Sequence, residues 1–368
     1  MTRAFIVLAA LALAACSTAE VLDVPPDPPS HRLVAYVHGG TPGAIGRIGA
    51  EKLTHVNVAF ANVTPDGEVV LDDPADARRL RAAVGLRERN PDLKVLLSVG
   101  GWGWSENFSD AALTAASRER FAESAVALVR AHGLDGLDID WEYPGQRGED
   151  NVFRDEDRET FTLLLGAVRD ALGDGQLLTI AAAAGQTYLD HTDMAAAHRP
   201  LDFVNLMTYD FSGSWSARTG HHANLHPSDA VPGAPSTSQA VEQMVAAGVP
   251  AEKIVIGAAF YGYRWSGVEA SADGLGQPYA GPVTTHSYAD LVAKSIGRDG
   301  YRRVWDEAAQ APTLWNPGTR TFISYEDEAS VARKAEYVRE RGLGGLMYWQ
   351  HLHDPDERLL DAARAVLR

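Results

Sequence analysis

Eight short runs rich in branched apolar residues recur along the chain, and helical patterns lie between most of them. The runs are RLVAYVH (32–38), THVNVAFANV (54–63), KVLLSVG (94–100), GLDID (136–140), LLTIAAAA (177–184), DFVNLMTYD (202–210), KIVIGAAFYG (253–262) and GGLMYW (344–349). Amphipathic stretches such as 111–133, 157–173 and 328–342 separate them, the last two ending in Gly, a residue suited to closing a helix. Continuous apolar strands alternating with helices bury both faces of a parallel sheet. Eight such units predict an α/β fold, a (β/α)8 TIM barrel, with an open doubly wound sheet as the alternative.

Two stretches exceed a minimal barrel. Residues 266–321, after the seventh strand, are rich in Gly, Pro and aromatics with one short helical piece at 288–296, and predict a small inserted α+β subdomain. Residues 211–237, after the sixth strand, form a second long loop. Loops at strand C-termini build the site in a barrel, so both additions are expected to shape a cleft.

The first sixteen residues, MTRAFIVLAALALAAC, pair an early Arg3 with an apolar run too short to span a bilayer, the pattern of a secretory signal. Leu13-Ala14-Ala15-Cys16 resembles a bacterial lipobox, which predicts cleavage after residue 15 and lipidation of Cys16, the only cysteine in the chain. A Pro-rich spacer (16–31) follows, and the catalytic domain is expected at 32–368. Ser17 after the cysteine favours an outer-membrane or cell-surface anchor. A net charge of −16 argues against a nucleic-acid partner, because phosphate neutralisation needs a basic surface. No matching His or Asp set at other strand ends suggests a metal, no cofactor is implied, and a monomer is the default expectation.

The fourth run continues as GLDIDWEYP. Along a strand, side chains alternate faces, so Asp138, Asp140 and Glu142 share one side while Leu137, Ile139 and Trp141 share the other. With the apolar set against the helices, three carboxylates point into the barrel, where they cannot all stay ionised without proton sharing or a metal. Such crowding raises one member into the range of a general acid, and glycosidic bond cleavage is the leading chemistry. Asp135 has the opposite parity and is expected to serve a turn.

DGLDIDWEYP resembles the DxxDxDxE signature of glycoside hydrolase family 18, the chitinases and their relatives. Similar matches follow in order: Ser98-Val99-Gly100-Gly101-Trp102, Met207-Thr208-Tyr209-Asp210, TGHHANL (219–225), Phe260-Tyr261-Gly262, APTLWNPGTRTFISYED near the end of the insertion, and Gly344-Gly345-Leu346-Met347-Tyr348-Trp349. The resemblance implies that Glu142 protonates the leaving oxygen and that Asp140 orients the acetamido group. It implies that Asp138 shares a proton with Asp140, that Tyr209 binds the acetamido oxygen and that Asp210 holds the distorted sugar. Trp349 would floor the cleavage subsite, with Tyr36, Phe60, Gly101, Met207 and Tyr261 around it. Trp102, Trp104, Trp215 and Trp265 sit at or just past strand ends, where sugar platforms belong.

Tyr263 stands where the family often has Arg, and the first strand ends in His38-Gly39-Gly40 without the aromatic common in chitinases. His221 and His222 read as loop residues. The implied partner is chitin or N-acetylglucosamine oligomers. A chitinase-like lectin, or action on N-glycan chitobiose or peptidoglycan, are the alternatives.

Overall fold

The computed structural model describes residue 1, residues 31–298 and residues 300–367, so the expected signal, Cys16 and the spacer up to residue 30 lie outside the described residues. Eight parallel strands close on themselves: β1 (Arg32–His38), β2 (His55–Val63), β3 (Lys94–Gly100), β4 (Gly136–Asp140), β5 (Leu177–Ala183), β6 (Phe203–Met207), β7 (Ile254–Ala259) and β8 (Gly345–Trp349). Each pairs with its successor, and β8 returns to β1 with Arg32 opposite Gly345 and Ala35 opposite Tyr348. The expected (β/α)8 barrel is therefore present.

Its core follows from the predicted alternation. Leu137, Ile139 and Trp141 are buried outside β4, where Trp141 stacks on Phe108 (5.4 Å between ring centres) and meets Phe161 edge-on (5.7 Å). The helix expected over 111–133 is two, Phe108–Leu113 and Ala115–Ala131. Thr114 between them is extended. Its hydroxyl accepts from the Ser117 amide (3.1 Å) while Ser117 Oγ accepts from the Thr114 amide (3.0 Å), a reciprocal cap that starts a new helix.

The run at 253–262 divides at Phe260, whose amide donates to the Trp349 carbonyl (2.8 Å). Tyr261–Trp265 then joins a second, antiparallel sheet in the order Val283–Ser287, Tyr261–Trp265, Thr321–Ser324, Ala311–Asn316, Arg302–Asp306. The inserted unit thus extends beyond the expected 266–321 on both sides. Helix Glu328–Glu340 leads back to the barrel and is tied to β7 by a buried ion pair. Lys334 Nζ lies 2.6 Å from Glu326 Oε1 and donates to the Gly257 carbonyl (2.9 Å), while Glu326 Oε1 accepts from the Ala259 amide (3.0 Å).

Candidate active site

The register of β3, β4 and β5 puts Ser98, Asp138 and Thr179 side by side. Period-two alternation turns all three inward, and Asp138 is completely buried. Its Oδ1 accepts from Thr179 Oγ1 (2.5 Å) and Asn205 Nδ2 (3.2 Å), and its Oδ2 from Ser98 Oγ (2.7 Å) and the Tyr36 hydroxyl (2.8 Å). Burial pushes its carboxyl up, and these four bonds pull it back. Tyr36, buried with its hydroxyl on Asp138, supports the acid from below. Asp135 has the structural role its parity implied: it pairs with Arg87 and accepts from the Val95 amide (2.7 Å).

Asp140 sits one layer higher. Burial drives its carboxyl well above the usual range, with Glu142 and then Asp138 adding like charge. Its Oδ1 is buried and has no hydrogen-bond partner among the described residues. Among the described residues no hydrogen bond joins Asp138 to Asp140, because the oxygens of Asp138 are taken by its four donors. Glu142, at the mouth, is 9% exposed and is pushed up to about 7 by burial, with the Tyr143 hydroxyl opposing the shift and Asp210 reinforcing it. Ser105 fixes the strand end: its Oγ accepts from the Glu142 amide (2.9 Å) and donates to the Gly101 carbonyl (2.9 Å).

Beyond β6, Tyr209 lies across Gly257, where a Cβ would come within 2.8 Å of its ring. Among the described residues its hydroxyl reaches only the Met347 sulfur, at 3.9 Å, which leaves a strong donor almost unspent. Met207 packs in the same inner cluster as Tyr36, Phe60 and Trp349. Asp210 turns the chain outward at φ +59° and accepts from the Tyr261 hydroxyl (2.5 Å).

Trp349 forms an aromatic floor with Phe60 (5.6 Å, stacked) and His38 (5.6 Å, stacked), and Trp104 closes on both Phe60 and His38. Gly101, at φ +84°, allows the Phe60 ring to approach; a Cβ there would lie 2.5 Å from it. Trp102 and Trp215 are 50% and 60% exposed. Trp265 does not join them: it is buried against Val268, Trp315 and Phe322 in the core of the second sheet. His221 and His222 are likewise buried rather than on a loop surface, and His221 Nε2 lies 3.1 Å from Asp306. His38 is the member of the floor that motif matching passes over. Its parity with Tyr36 was the available signal.

The family model of glycosyl hydrolases family 18 matches residues 32–354. Chitinase A1 of Niallia circulans is 34% identical over 95% of this chain and 60% of its own length, so the chain spans about three-fifths of that relative. Chitinase 1 of Aphanocladium album is 36% identical over 82% of the chain and 75% of its own length. Among solved structures, a glycoside hydrolase family 18 N-acetylglucosaminidase from Paenibacillus barengoltzii superposes with a TM-score of 0.83 at 41% identity, covering 91% of this chain and 99% of the other.

Proposed function

The chain belongs to glycosyl hydrolases family 18, and on that premise we propose that it is a chitinase, hydrolysing β-1,4 bonds between N-acetylglucosamine units with retention of anomeric configuration. The observation that carries the reading is the ladder of Asp138, Asp140 and Glu142, with a buried, uphill-shifted acid at its top.

In this mechanism Glu142 donates its proton to the glycosidic oxygen as the bond to the anomeric carbon breaks. The substrate's acetamido oxygen attacks that carbon and forms an oxazolinium ion, so no protein carboxylate serves as nucleophile. Asp140 Oδ1, buried and without a partner among the described residues, accepts the acetamido N–H and stabilises the positive ion through that bond. The unspent Tyr209 hydroxyl donates to the acetamido oxygen. Water then attacks the anomeric carbon, breaking its bond to the acetamido oxygen, and gives its proton to the Glu142 carboxylate, restoring the acid. Trp349 buries an apolar sugar face while Trp102 and Trp215 extend the platform into solvent.

The test is a series of chitin oligomers, with products resolved by size and anomer, for the wild type and Glu142→Gln. Release of β-anomers, lost by orders of magnitude in Glu142→Gln while oligomers still bind, is the expected result. Binding without cleavage by the wild type would refute it in favour of a lectin. A second reading, stepwise release of single N-acetylglucosamine units, is favoured by the 41% identity over 99% of the N-acetylglucosaminidase. Monomers as the first product would select it, and dimers from the interior would reject it.

Export and lipid attachment through Cys16 rest on the sequence pattern alone. Palmitate labelling of the expressed protein, abolished in Cys16→Ala, is expected; label persisting in that variant would refute the anchor.

A further inference from the structure

Asp210 is a carboxylate at the mouth of the site, and among the described residues the only basic side chain recorded beside it is His222, whose Nδ1 lies 3.9 Å from Asp210 Oδ1. The imidazole is completely buried, and among the described residues neither ring nitrogen has a hydrogen-bond partner. A buried ring N–H left unpaired costs about 1–3 kcal/mol, so an arrangement that keeps one beside an acid calls for a reason.

The other lone pair of Asp210 Oδ1 supplies it. The Tyr261 hydroxyl fills one position on that oxygen, and a carboxylate oxygen accepts two bonds. His222 packs between Tyr261 (5.2 Å between ring centres) and Tyr263 (5.3 Å). The Tyr263 hydroxyl also bonds the Asp210 carboxylate, so the His222 ring lies between two tyrosines that hold the same acid.

The imidazole is buried on an anchored backbone, whereas the carboxylate is partly exposed. The His222 amide donates to Ser324 Oγ (2.9 Å) on the second sheet, and its carbonyl accepts from the amide of Phe211 (3.0 Å), the residue after Asp210. The Asp210 side chain is 42% exposed, on a turn at φ +59°. A small rotation of the Asp210 side chain as a sugar enters is enough, because less than about an ångström of travel turns 3.9 Å into hydrogen-bond distance.

We propose that His222 is a positioning residue: with a sugar in the cleavage subsite, its Nδ1–H donates to Asp210 Oδ1 and holds the carboxylate in its working orientation. The inference rests on the reading of the site as a family 18 hydrolase, and the second sheet thereby becomes part of the machinery through Ser324 and His222.

Two measurements test it independently. The first is a crystal structure of Glu142→Gln with a bound chitin oligomer, in which the Nδ1–Oδ1 distance is expected to fall to about 3.2 Å or less. A distance still near 3.9 Å overturns the proposal whether or not the wild type cleaves. The second is kinetics on a chitin tetramer for His222→Phe, which keeps the volume without a donor, and His222→Gln, which can donate. The expected result is a roughly tenfold loss of kcat in His222→Phe with KM nearly unchanged, and recovery of most of it in His222→Gln. Wild-type kcat in His222→Phe, or equal loss in both variants with unchanged melting temperatures, also overturns it. A wild type that cleaves no oligomer would refute the proposed function, and the crystallographic distance would still decide the role of His222.

Discussion

The pH dependence of the acid offers a signed test of the electrostatics. A general acid must carry its proton in the free enzyme, so kcat/KM should fall as pH rises through the Glu142 value, tenfold for each unit beyond it. At an ordinary value of 4.5, only about one Glu142 in three hundred would be protonated at pH 7; pushed up to about 7, half are. The structure therefore predicts roughly 150-fold more competent acid at neutrality than an exposed glutamate would provide. The three causes differ in sign. Burial raises the value most, the Tyr143 hydroxyl bond lowers it, and Asp210 raises it. Tyr143→Phe should move the alkaline limb up and Asp210→Asn should move it down. Neither should return it to 4.5, because burial remains. The assay is kcat/KM on a chitin tetramer from pH 4 to 10, reading the position of the limb rather than its height, since Asp210→Asn also weakens the site. A wild-type limb near pH 5, or both variants shifting in the same direction, would refute the reasoning.

Three further predictions concern stability and its link to activity. Lys334→Met strands the buried Glu326 carboxylate and should cost about 3–5 kcal/mol by urea unfolding. Lys334→Met/Glu326→Leu should regain most of that, and a double variant no better than the single would show that the β7 backbone bonds dominate instead. Gly101→Ala places a Cβ 2.5 Å from the Phe60 ring at φ +84°, so melting temperature and kcat/KM should fall together. Gly133→Ala, at φ +62° with no atom within 4 Å, should lose about 1 kcal/mol of stability and leave kcat/KM unchanged.

What the sequence revealed and what it hid divide along the range of the interactions involved. The carboxylate ladder was readable because strand alternation is local. Once Leu137, Ile139 and Trp141 pack outward, Asp138, Asp140 and Glu142 have no face left but the inner one. The donors to Asp138 were harder to foresee, since Tyr36 and Asn205 reach it across 102 and 67 residues of chain. Trp265 depends on one event. The chain leaves the barrel at Phe260, and the five residues that follow pair with Thr321–Ser324 and Val283–Ser287, which puts the indole inside a core that no local pattern announces. His222 depends on the same sheet, because Ser324 receives its amide only after the insertion has folded over the loop that follows β6. The insertion is therefore more than a wall of the cleft. By burying Trp265 it gains a core of its own, and by fixing His222 against Asp210 it sets an edge of the site that the barrel strands alone could not. A substitution deep in that sheet, far from any sugar, should consequently reach the catalytic centre through Asp210 before it reaches Glu142.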